Sequence, residues 1–300
     1  MEFDNRDYLV VNAFANESFG GNPAGIFPVA EGLSDWEMQK IARQLNLVET
    51  AFVFSSREPG VDRHLRYFTP LKELPVTGHP TIAAWTALCH EGLVDFNIKK
   101  DFRQRTAAGI QDIHLEHSGK RVIVTMKQPK ARFLKFVEDR QLVATVFGLC
   151  VDDLVDYLPV QAIDTGLGHI VVPIKSFSAL MKVKRNIEPL RQLCEDYEVY
   201  ESQLFTSETE DSQLDIHTRN LSSRQGIEDP ACGIGNGALG AYLAKHIYSG
   251  EKEFSFTAEQ GQIVQMPSVI NVRITKSTED RLEIFIGGGG VVMAKGRMCF

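Results

Sequence analysis

Two stretches of six residues, Glu73-Leu-Pro-Val-Thr-Gly78 and Glu228-Asp-Pro-Ala-Cys-Gly233, decide how this chain folds. They share the pattern Glu-x-Pro-x-x-Gly, and each is followed by an almost entirely apolar stretch rich in alanine or glycine, at residues 79–88 and 234–243. A helix that is apolar on all sides must be surrounded by protein or lipid, and stretches this short cannot span a bilayer. The sequence therefore predicts an internal duplication, with two domains that are each built around a central helix.

The start of each predicted helix is also a candidate site for an anion. The N–H groups of a first helical turn are unpaired and carry about half an elementary charge. If the two halves face each other, both helix starts would lie at one interdomain cleft and would suit a small carboxylate. The glycines could instead serve only close packing of helix against sheet, but two copies of one pattern favour the binding role.

The composition indicates two ordinary domains and a small-molecule partner. The 300 residues have a net charge of −7 with both signs interspersed, so we expect neither a nucleic-acid nor a membrane partner. The polar first residues, 1–7, lack the apolar core of a signal peptide, and the expected location is the cytoplasm. The five cysteines are scattered without metal-ligand spacing, so we expect them to be reduced and mostly buried, with no metal site.

The periodicity predicts a mixed fold in which strands outnumber helices. Ser34 and Glu37 form a capping box, which predicts a helix start, and further helices are predicted near 142–148 and 188–196. Strands are predicted at residues 8–15, 50–55, 63–69, 121–126, 160–164, 169–174, 199–206, 214–221, 254–257, 262–265, 269–275, 282–286 and 291–295. We place one domain at residues 1–122 and the other at 123–287, and residues 288–300 could complete the first.

Several motifs, in order along essentially the whole chain, resemble the PhzF-like family of phenazine-biosynthesis proteins. They are Val11-Asn-Ala-Phe14, Phe19-Gly-Gly-Asn-Pro-Ala-Gly25, Leu47-Val-Glu-Thr-Ala-Phe-Val53, Arg66-Tyr-Phe-Thr-Pro70, Leu74-Pro-Val-Thr-Gly-His-Pro-Thr81, Asp164-Thr-Gly166 with His169, Glu228-Asp-Pro-Ala-Cys-Gly233, and Glu259-Gln-Gly261 with Met266-Pro-Ser268. The resemblance implies an α+β, diaminopimelate-epimerase-like fold: two pseudo-symmetric domains, each a mostly antiparallel, barrel-like sheet around a central apolar helix. It also implies a cofactor-free isomerase, usually a homodimer, that acts on a small carboxylate.

Three residues are candidates for acid/base and binding roles. Glu49 lies among apolar residues, and partial desolvation would raise its pKa toward neutral pH; alternatively it faces water at a turn. His79 could bind substrate or orient Glu49, or else cap the helix. Asp229 could bind a substrate amine or orient a donor, or else cap the second helix. The resemblance implies that Glu49 is the catalytic acid/base and favours a functional His79.

Cys232 and Ile234 depart from the family pattern, which has threonine and then a small polar residue at these positions. The stretch Ala231-Cys-Gly-x-Gly235 is similar to the second catalytic-cysteine motif of diaminopimelate epimerases, and a thiol at a helix start can have a lowered pKa. Thr77 stands at the duplicated position, so a mechanism with two cysteines is not available. Cys232 could equally be a silent replacement of threonine. Substrate contacts are expected from Gly78, Pro80, Thr81, Gly166, Gly233, Ile234 and Gly235.

Two glycine-rich motifs receive structural interpretations. Residues 235–240 match the dinucleotide-binding pattern G-x-G-x-x-G, but a polar loop precedes them where that fingerprint needs a strand. Residues 287–290 lack the lysine and hydroxyl residue of a phosphate-binding loop, and we expect them to join two strands.

The sequence thus predicts an isomerase in which Glu49 moves a proton on a small carboxylate-containing molecule, with His79, Asp229 and Cys232 in the site. No metal or organic cofactor is expected. Three alternatives stay open: epimerisation or dehydration with Cys232 as a second acid/base, a cysteine-nucleophile enzyme, and a non-catalytic protein that binds a carboxylate.

Overall fold

The structure is a computed structural model that describes residues 5–119, 121–223, 228–277 and 281–300. The chain divides into two compact units. The first unit contains the chain up to Lys127 and then Gly287–Phe300, and the second contains Gln128–Ile286. No helix among the described residues is long and apolar enough to cross a membrane.

Both halves of the chain contain one common order of elements: two strands, a helical crossover, two strands, a central helix and three strands. The first half contains β1 (Asn5–Ala13), β2 (Asn22–Phe27), α1 (Asp35–Leu45), β3 (Glu49–Ser55), β4 (Arg63–Phe68), β5 (Glu73–Leu74), α2 (His79–His90), β6 (Asp101–Thr106), β7 (Gly109–Ser118) and β8 (Arg121–Lys127). The second half contains β9 (Arg132–Phe136), α3 (Arg140–Phe147), β10 (Gln161–Asp164), β11 (Gly168–Pro173), α4 (Phe177–Lys182), α5 (Ile187–Asp196), β12 (Glu201–Thr206), β13 (Ile216–Ser222), α6 (Gly233–His246), β14 (Glu253–Gln260), β15 (Ser268–Lys276) and β16 (Leu282–Cys299).

The first unit is a closed, eight-stranded barrel around helix α2. Its strands pair in the order β1-β2-β3-β4-β6-β7-β8-β16, and β16 pairs again with β1. The pairs β2–β3 and β4–β6 are parallel, and each is connected through a helix, α1 or α2. Helix α2 is buried over residues 79–88 and contacts β1, β2, β3 and β8. The apolar sequence of α2 therefore forms the centre of the barrel.

The second unit repeats this topology around helix α6. Its strands pair in the order β9 to β15, followed by the first residues of β16. The parallel pairs are now β11–β12, connected through α4 and α5, and β13–β14, connected through α6. Helix α6 contacts β10, β11, β12 and β15. The predicted class is confirmed: a duplicated α+β fold with a barrel-like sheet around a central apolar helix in each unit.

The predicted start of α1 is confirmed in detail. Ser34 is the N-cap: its hydroxyl accepts a hydrogen bond from the Glu37 amide at 3.3 Å, and the Glu37 carboxylate accepts one from the Ser34 amide at 2.7 Å. The buried residues Met38, Ile41 and Ala42 follow with helical spacing. Both the capping box and the helical spacing of the buried residues could therefore be predicted from the sequence alone.

The four glycines at residues 287–290 lie inside strand β16, so the prediction that they join two strands is wrong. A Cβ on Gly287 would lie 2.5 Å from Thr125 Oγ1, and a Cβ on Gly290 would lie 2.5 Å from Thr86 Oγ1. Real Cβ atoms do not approach other atoms this closely. These glycines let one long strand pass against β8 and against the central helix.

Other predictions also need correction. Residues 262–265 are not a strand, because Gln262–Val264 forms a short 3₁₀ turn. Strand β8 pairs with β7 and lies in the first unit, whose first segment extends to Lys127. The periodicity did not identify β2, β5, β6, β7, β9 and α4. Several of these are short or carry glycine, proline or charged residues, which hide the alternation of a strand.

The cysteines are less buried than expected. All five are free thiols, but Cys150 and Cys299 are exposed and Cys89 is partly buried. Only Cys194 and Cys232 are buried. The expectation of mostly buried cysteines is therefore wrong, and Cys232 remains of interest because of its position at the start of α6.

Candidate active site

In the first unit, Glu49 and His79 meet at the start of the central helix. Glu49 is the first residue of β3, and His79 is the first residue of α2. The Glu49 carboxylate lies 3.7 Å from His79 Nδ1, and only 14 % of the Glu49 side chain is exposed. This separation is longer than a hydrogen bond, but catalytic hydrogen bonds are often longer without substrate than with it. The alternative that Glu49 faces water is wrong.

His79 is held as a neutral imidazole. Burial lowers the pKa of His79 to about 3, so its contact with Glu49 at neutral pH is not an ion pair. Its second ring nitrogen, Nε2, is buried and has no hydrogen-bond partner among the described residues. A buried nitrogen in this state can donate to or accept from a bound molecule. His79 therefore combines a fixed position with an unused polar atom.

A buried network fixes the first turn of α2. The Thr81 hydroxyl donates to the Thr77 carbonyl at 2.7 Å and lies 2.6 Å from the Tyr67 hydroxyl. Gln104 donates to Tyr67 at 3.1 Å and accepts from the Trp85 indole at 2.7 Å. These bonds occupy the Thr81 side chain, which is fully buried. The Thr81 side chain thus holds the helix start in place, and the substrate contact of Thr81 stays a prediction.

The first turn of α2 retains two main-chain donors for an anion. Pro80 has no N–H, and the Thr81 amide donates to the Gly78 carbonyl at 3.0 Å. Gly78 is the N-cap, and a Cβ there would meet no described atom within 4 Å. The N–H groups of Gly78 and His79 are therefore the ones in this turn that could bind a carboxylate.

In the second unit, Cys232 caps helix α6 beside a histidine and a glutamate. The Cys232 sulfur accepts a hydrogen bond from the Gly235 amide at 3.3 Å. It lies 3.7 Å from His169 Nε2 and 4.0 Å from Glu201 Oε2. His169 Nε2 is in turn 3.2 Å from Glu201 Oε2. The three side chains form a compact cluster, which we call the thiol cluster.

The thiol of Cys232 is not activated by its position at the helix start. Burial raises the pKa of Cys232 well above its ordinary value, and the negative charges of Asp229 and Glu201 raise it further. Hydrogen bonds from the amides of Gly235 and Ile234 act in the opposite direction but are outweighed. The expected lowering of this pKa is therefore wrong, because a helix terminus supplies only a partial charge.

Asp229 does not cap α6, because Cys232 is the N-cap. The Asp229 side chain instead accepts a hydrogen bond from the Ala231 amide at 2.9 Å, within the loop before the helix. Burial, and then the charge of Glu201, raise the pKa of Asp229 to about 7. Asp229 can therefore hold or release a proton near neutral pH.

The remaining predicted contacts have mixed roles. The Gly166 amide donates to the Asp164 carboxylate at 2.7 Å, in a turn with a φ of +118°. A Cβ on Gly235 would lie 2.2 Å from Gln203 Oε1, and the Gly235 amide is already bonded to the sulfur. Gly166 and Gly235 thus have roles in the fold, and their substrate contacts stay predictions. Gly233 and the partly exposed Ile234 are also candidate contacts at the start of α6.

Glu201 was missed from the sequence, although the topology makes it the counterpart of Glu49. Both are the first residues of the strand that follows the helical crossover, β3 in one unit and β12 in the other. In the parallel pairs, Glu49 lies opposite Ala24, and Glu201 lies opposite His169. The segments around the two glutamates share little sequence, so only the fold reveals the correspondence.

Comparison with known proteins places the chain in a family. The family described as "Phenazine biosynthesis-like protein" matches residues 11–296. An uncharacterized isomerase of Clostridium acetobutylicum is 34 % identical over 293 residues, which are 96 % of each chain. The trans-2,3-dihydro-3-hydroxyanthranilate isomerase of Pseudomonas aeruginosa is 30 % identical over 294 residues, covering 97 % of this chain and 98 % of that protein.

The solved structures agree with this assignment. The crystal structure of a Bacillus anthracis phenazine biosynthesis protein of the PhzF family superposes with a TM-score of 0.91 at 31 % identity. It covers 99 % of this chain and 100 % of the other. The resemblance found in the motifs is thereby confirmed along the whole chain. The chain is an isomerase that belongs to the phenazine biosynthesis-like, or PhzF-like, family.

Proposed function

We propose that this isomerase moves a proton between two positions of a small carboxylate-containing metabolite, with Glu49 as the group that takes and returns the proton. The observation that supports this role most directly is the buried pair of Glu49 and neutral His79 at the start of α2. A sheltered carboxylate can serve first as a base and then, protonated, as an acid. A proton shift leaves the oxidation state of the molecule unchanged, so this chemistry needs no electron acceptor.

His79 orients the reacting molecule and supports the charge that develops on it. Because burial keeps the imidazole neutral, Nε2 can form a hydrogen bond without competing with Glu49 for a proton. The N–H groups of Gly78 and His79 bind the substrate carboxylate, helped by the partial positive charge of the helix start. Such a donor can contribute about 3 kcal/mol to the stability of a transition state.

The substrate class is a small acid, and cyclic amino or hydroxy acids are the first to test. The relative from Pseudomonas aeruginosa is named for trans-2,3-dihydro-3-hydroxyanthranilate, which carries a carboxylate, an amine and a hydroxyl group. We further propose a cytoplasmic homodimer, and light scattering on the purified protein measures the subunit number.

A second candidate, epimerisation or dehydration with Cys232 as another acid/base, is favoured by one observation. The sulfur lies 3.7 Å from a ring nitrogen of His169, which could relay its proton. The raised pKa of the thiol weighs against this candidate and also against a cysteine nucleophile. A non-catalytic role is set aside because the compared relatives are named isomerases.

Proton exchange in D₂O, followed by NMR, tests the proposal. Each compound of a panel of cyclic amino and hydroxy acids, including trans-2,3-dihydro-3-hydroxyanthranilate, is incubated with wild type and with Glu49→Gln. We expect deuterium at the acidic carbon only with active protein, and a loss of exchange of about 100-fold or more in Glu49→Gln, the usual size of a general acid/base effect.

The matched control is Glu253→Gln, because Glu253 is also the first residue of a strand but 60 % of its side chain is exposed. It should exchange like wild type. Cys232→Ser separates the two candidates, since it abolishes exchange only if the thiol carries a proton. Full exchange by a folded Glu49→Gln variant would refute the proposed role of Glu49.

A further inference from the structure

The thiol cluster brings together three side chains that are common metal ligands. His169 lies on β11, Glu201 lies on the neighbouring strand β12, and Cys232 caps α6. His169 and Glu201 are direct partners across the parallel pair of strands. One nitrogen, one oxygen and one sulfur atom of these residues lie within 4.8 Å of one another. His169 and Cys232 are buried, and 14 % of the Glu201 side chain is exposed.

We propose that His169, Glu201 and Cys232 bind a divalent transition-metal ion of the zinc class. This inference goes beyond the proposed function, which assigns the proton transfer to Glu49 and requires no metal. Thiolate, imidazole and carboxylate are each zinc ligands in proteins.

The distances within the cluster fit a tetrahedral site. Zinc bonds are about 2.0 Å to nitrogen and oxygen and about 2.3 Å to sulfur, so ligand atoms at tetrahedral angles are about 3.3 to 3.6 Å apart. The observed separations are 3.2 Å between nitrogen and oxygen, 3.7 Å between sulfur and nitrogen, and 4.0 Å between sulfur and oxygen. A shift of a few tenths of an ångström would bring all three atoms to bonding distance from one ion.

The surrounding hydrogen bonds orient two of the three ligands. His169 Nδ1 lies 2.9 Å from the Leu167 carbonyl. A carbonyl only accepts, so Nδ1 carries a proton, and in the neutral imidazole that binds metal ions the lone pair of Nε2 then faces the cluster. The Gly235 amide donates to the Cys232 sulfur, which stabilises a thiolate ligand. This is the outer-shell arrangement that supports zinc ligands in proteins.

Without an ion, Glu201 Oε2 lies within reach of both His169 Nε2 and the Cys232 thiol. In the neutral imidazole with its proton on Nδ1, the lone pair of Nε2 faces both the Glu201 oxygen and the Cys232 sulfur. A cation accepts all three lone pairs at once. Among the described residues the cluster supplies three protein ligands, so the fourth tetrahedral position is open to water or to an oxygen atom of a bound acid.

Cobalt binding provides a test that does not depend on activity. Chelator-treated protein is titrated with Co²⁺, which gives a thiolate-to-cobalt absorption band when cysteine is a ligand, and zinc content is measured by mass spectrometry after dialysis against Zn²⁺. We expect wild type to bind one equivalent of either ion, with the band present. Glu201→Gln and Cys232→Ser should weaken binding by at least about 100-fold, because even an outer-shell change typically costs 10- to 100-fold.

Cys194→Ser is the matched control, since Cys194 is the other buried cysteine and lies in the same unit. It should bind cobalt like wild type. Circular dichroism must show each variant to be folded, and Glu201→Gln keeps the thiol if Cys232→Ser does not fold. The proposal is overturned if wild type binds no cobalt or zinc, or if folded Cys232→Ser retains the absorption band. Neither result would affect the proton-exchange test of Glu49.

Discussion

The glutamates that open the two six-residue motifs provide a prediction with an internal control. In each unit this glutamate binds an arginine on the preceding strand of the barrel. Arg219 donates to Glu228 through two nitrogens, at 2.9 and 2.7 Å, and Arg66 donates to Glu73 through two nitrogens, both at 2.7 Å. The duplicated Glu-x-Pro-x-x-Gly pattern therefore anchors both helix starts by the same ion pair.

The two pairs differ in burial, and this difference sets the expected magnitudes. The side chains of Arg219 and Glu228 are only 4 % and 8 % exposed, whereas those of Arg66 and Glu73 are 21 % and 37 % exposed. Removing one charge of a buried pair leaves the other uncompensated and typically costs about 3–5 kcal/mol. An exposed pair contributes at most about 1 kcal/mol. We expect Glu228→Gln to lower the free energy of unfolding by the larger amount and Glu73→Gln by the smaller.

The other contacts of each arginine strengthen this expectation. Arg219 also donates to the carbonyls of Leu180 and Val183, at 2.8 and 3.0 Å, so it cannot turn toward water when Glu228 loses its charge. Arg66 retains a second carboxylate, Asp35, at 2.5 Å. After Glu228→Gln, the charge of Arg219 thus stays buried and uncompensated. After Glu73→Gln, the charge of Arg66 is still compensated by Asp35.

Equilibrium unfolding in urea, followed by circular dichroism, measures both variants against wild type. If the two units unfold separately, the transition of each unit is fitted on its own. A double replacement, Arg219→Met with Glu228→Leu, should recover part of the loss, because it removes the buried charge altogether but also removes the donor to the carbonyls of Leu180 and Val183. Similar losses of unfolding free energy in Glu228→Gln and Glu73→Gln would refute the expectation that breaking the buried ion pair costs more than breaking the exposed one.

Two further predictions concern the helix starts. The pKa of His79 lies near 3 in the folded protein but near 6.5 when unfolded, so the unfolded chain takes up a proton as pH falls between these values and stability falls with it. At about pH 4.5 this loss of stability is roughly 2–3 kcal/mol. Urea unfolding at neutral and acidic pH should show the loss in wild type but not in His79→Gln, which keeps the Glu49 carboxylate that faces the ring. An equal dependence of stability on pH in both proteins would contradict this account. Gly235→Ala should destabilise the protein by about 1–3 kcal/mol, since its Cβ would lie 2.2 Å from Gln203 Oε1 and 2.9 Å from Asn220 Nδ2. Gly78→Ala, with no described atom within 4 Å of the Cβ, should melt within a few degrees of wild type. A stable Gly235→Ala would show that Gln203 moves aside.

The predictions that the structure confirms depend on local sequence patterns. The two apolar stretches after the hexapeptides are the central helices of their units, because an apolar helix has no other stable place. The capping box at Ser34 likewise depends only on residues three positions apart. By contrast, the glycines of β16 look like a turn until Thr125 and Thr86 are seen to lie against them. That contact joins residues far apart in sequence, and no local pattern reveals it.

The residues of the candidate site also fall into two groups, those that local patterns reveal and those that only the fold brings together. Glu49 and His79 could be identified because motif resemblance marks both of them. The thiol cluster could not, because His169 and Glu201 approach Cys232 only through the pairing of β11 with β12 and the position of α6 between strands. The direction in which the pKa of Cys232 is shifted could not be predicted from the sequence either. It depends on burial and on two carboxylates, Asp229 and Glu201, whose proximity only the fold sets.

The duplicated topology gives both units a glutamate at the first position of the corresponding strand, beside the start of a central helix, yet the chemistry around each differs. In the first unit the neighbour is a neutral histidine with an unused nitrogen, which suits transfer of a proton to and from Glu49. In the second unit Glu201 faces an imidazole nitrogen and a sulfur at the spacing of metal ligands, which suits capture of a cation. The same arrangement of strand, glutamate and helix thus meets different atoms in the two units, because Glu49 faces His79 from the helix start, whereas Glu201 faces both His169 from the neighbouring strand and Cys232 from the helix start. We therefore expect His169→Ala to remove metal binding from the second unit. Proton exchange by Glu49 is measured separately in the same variant.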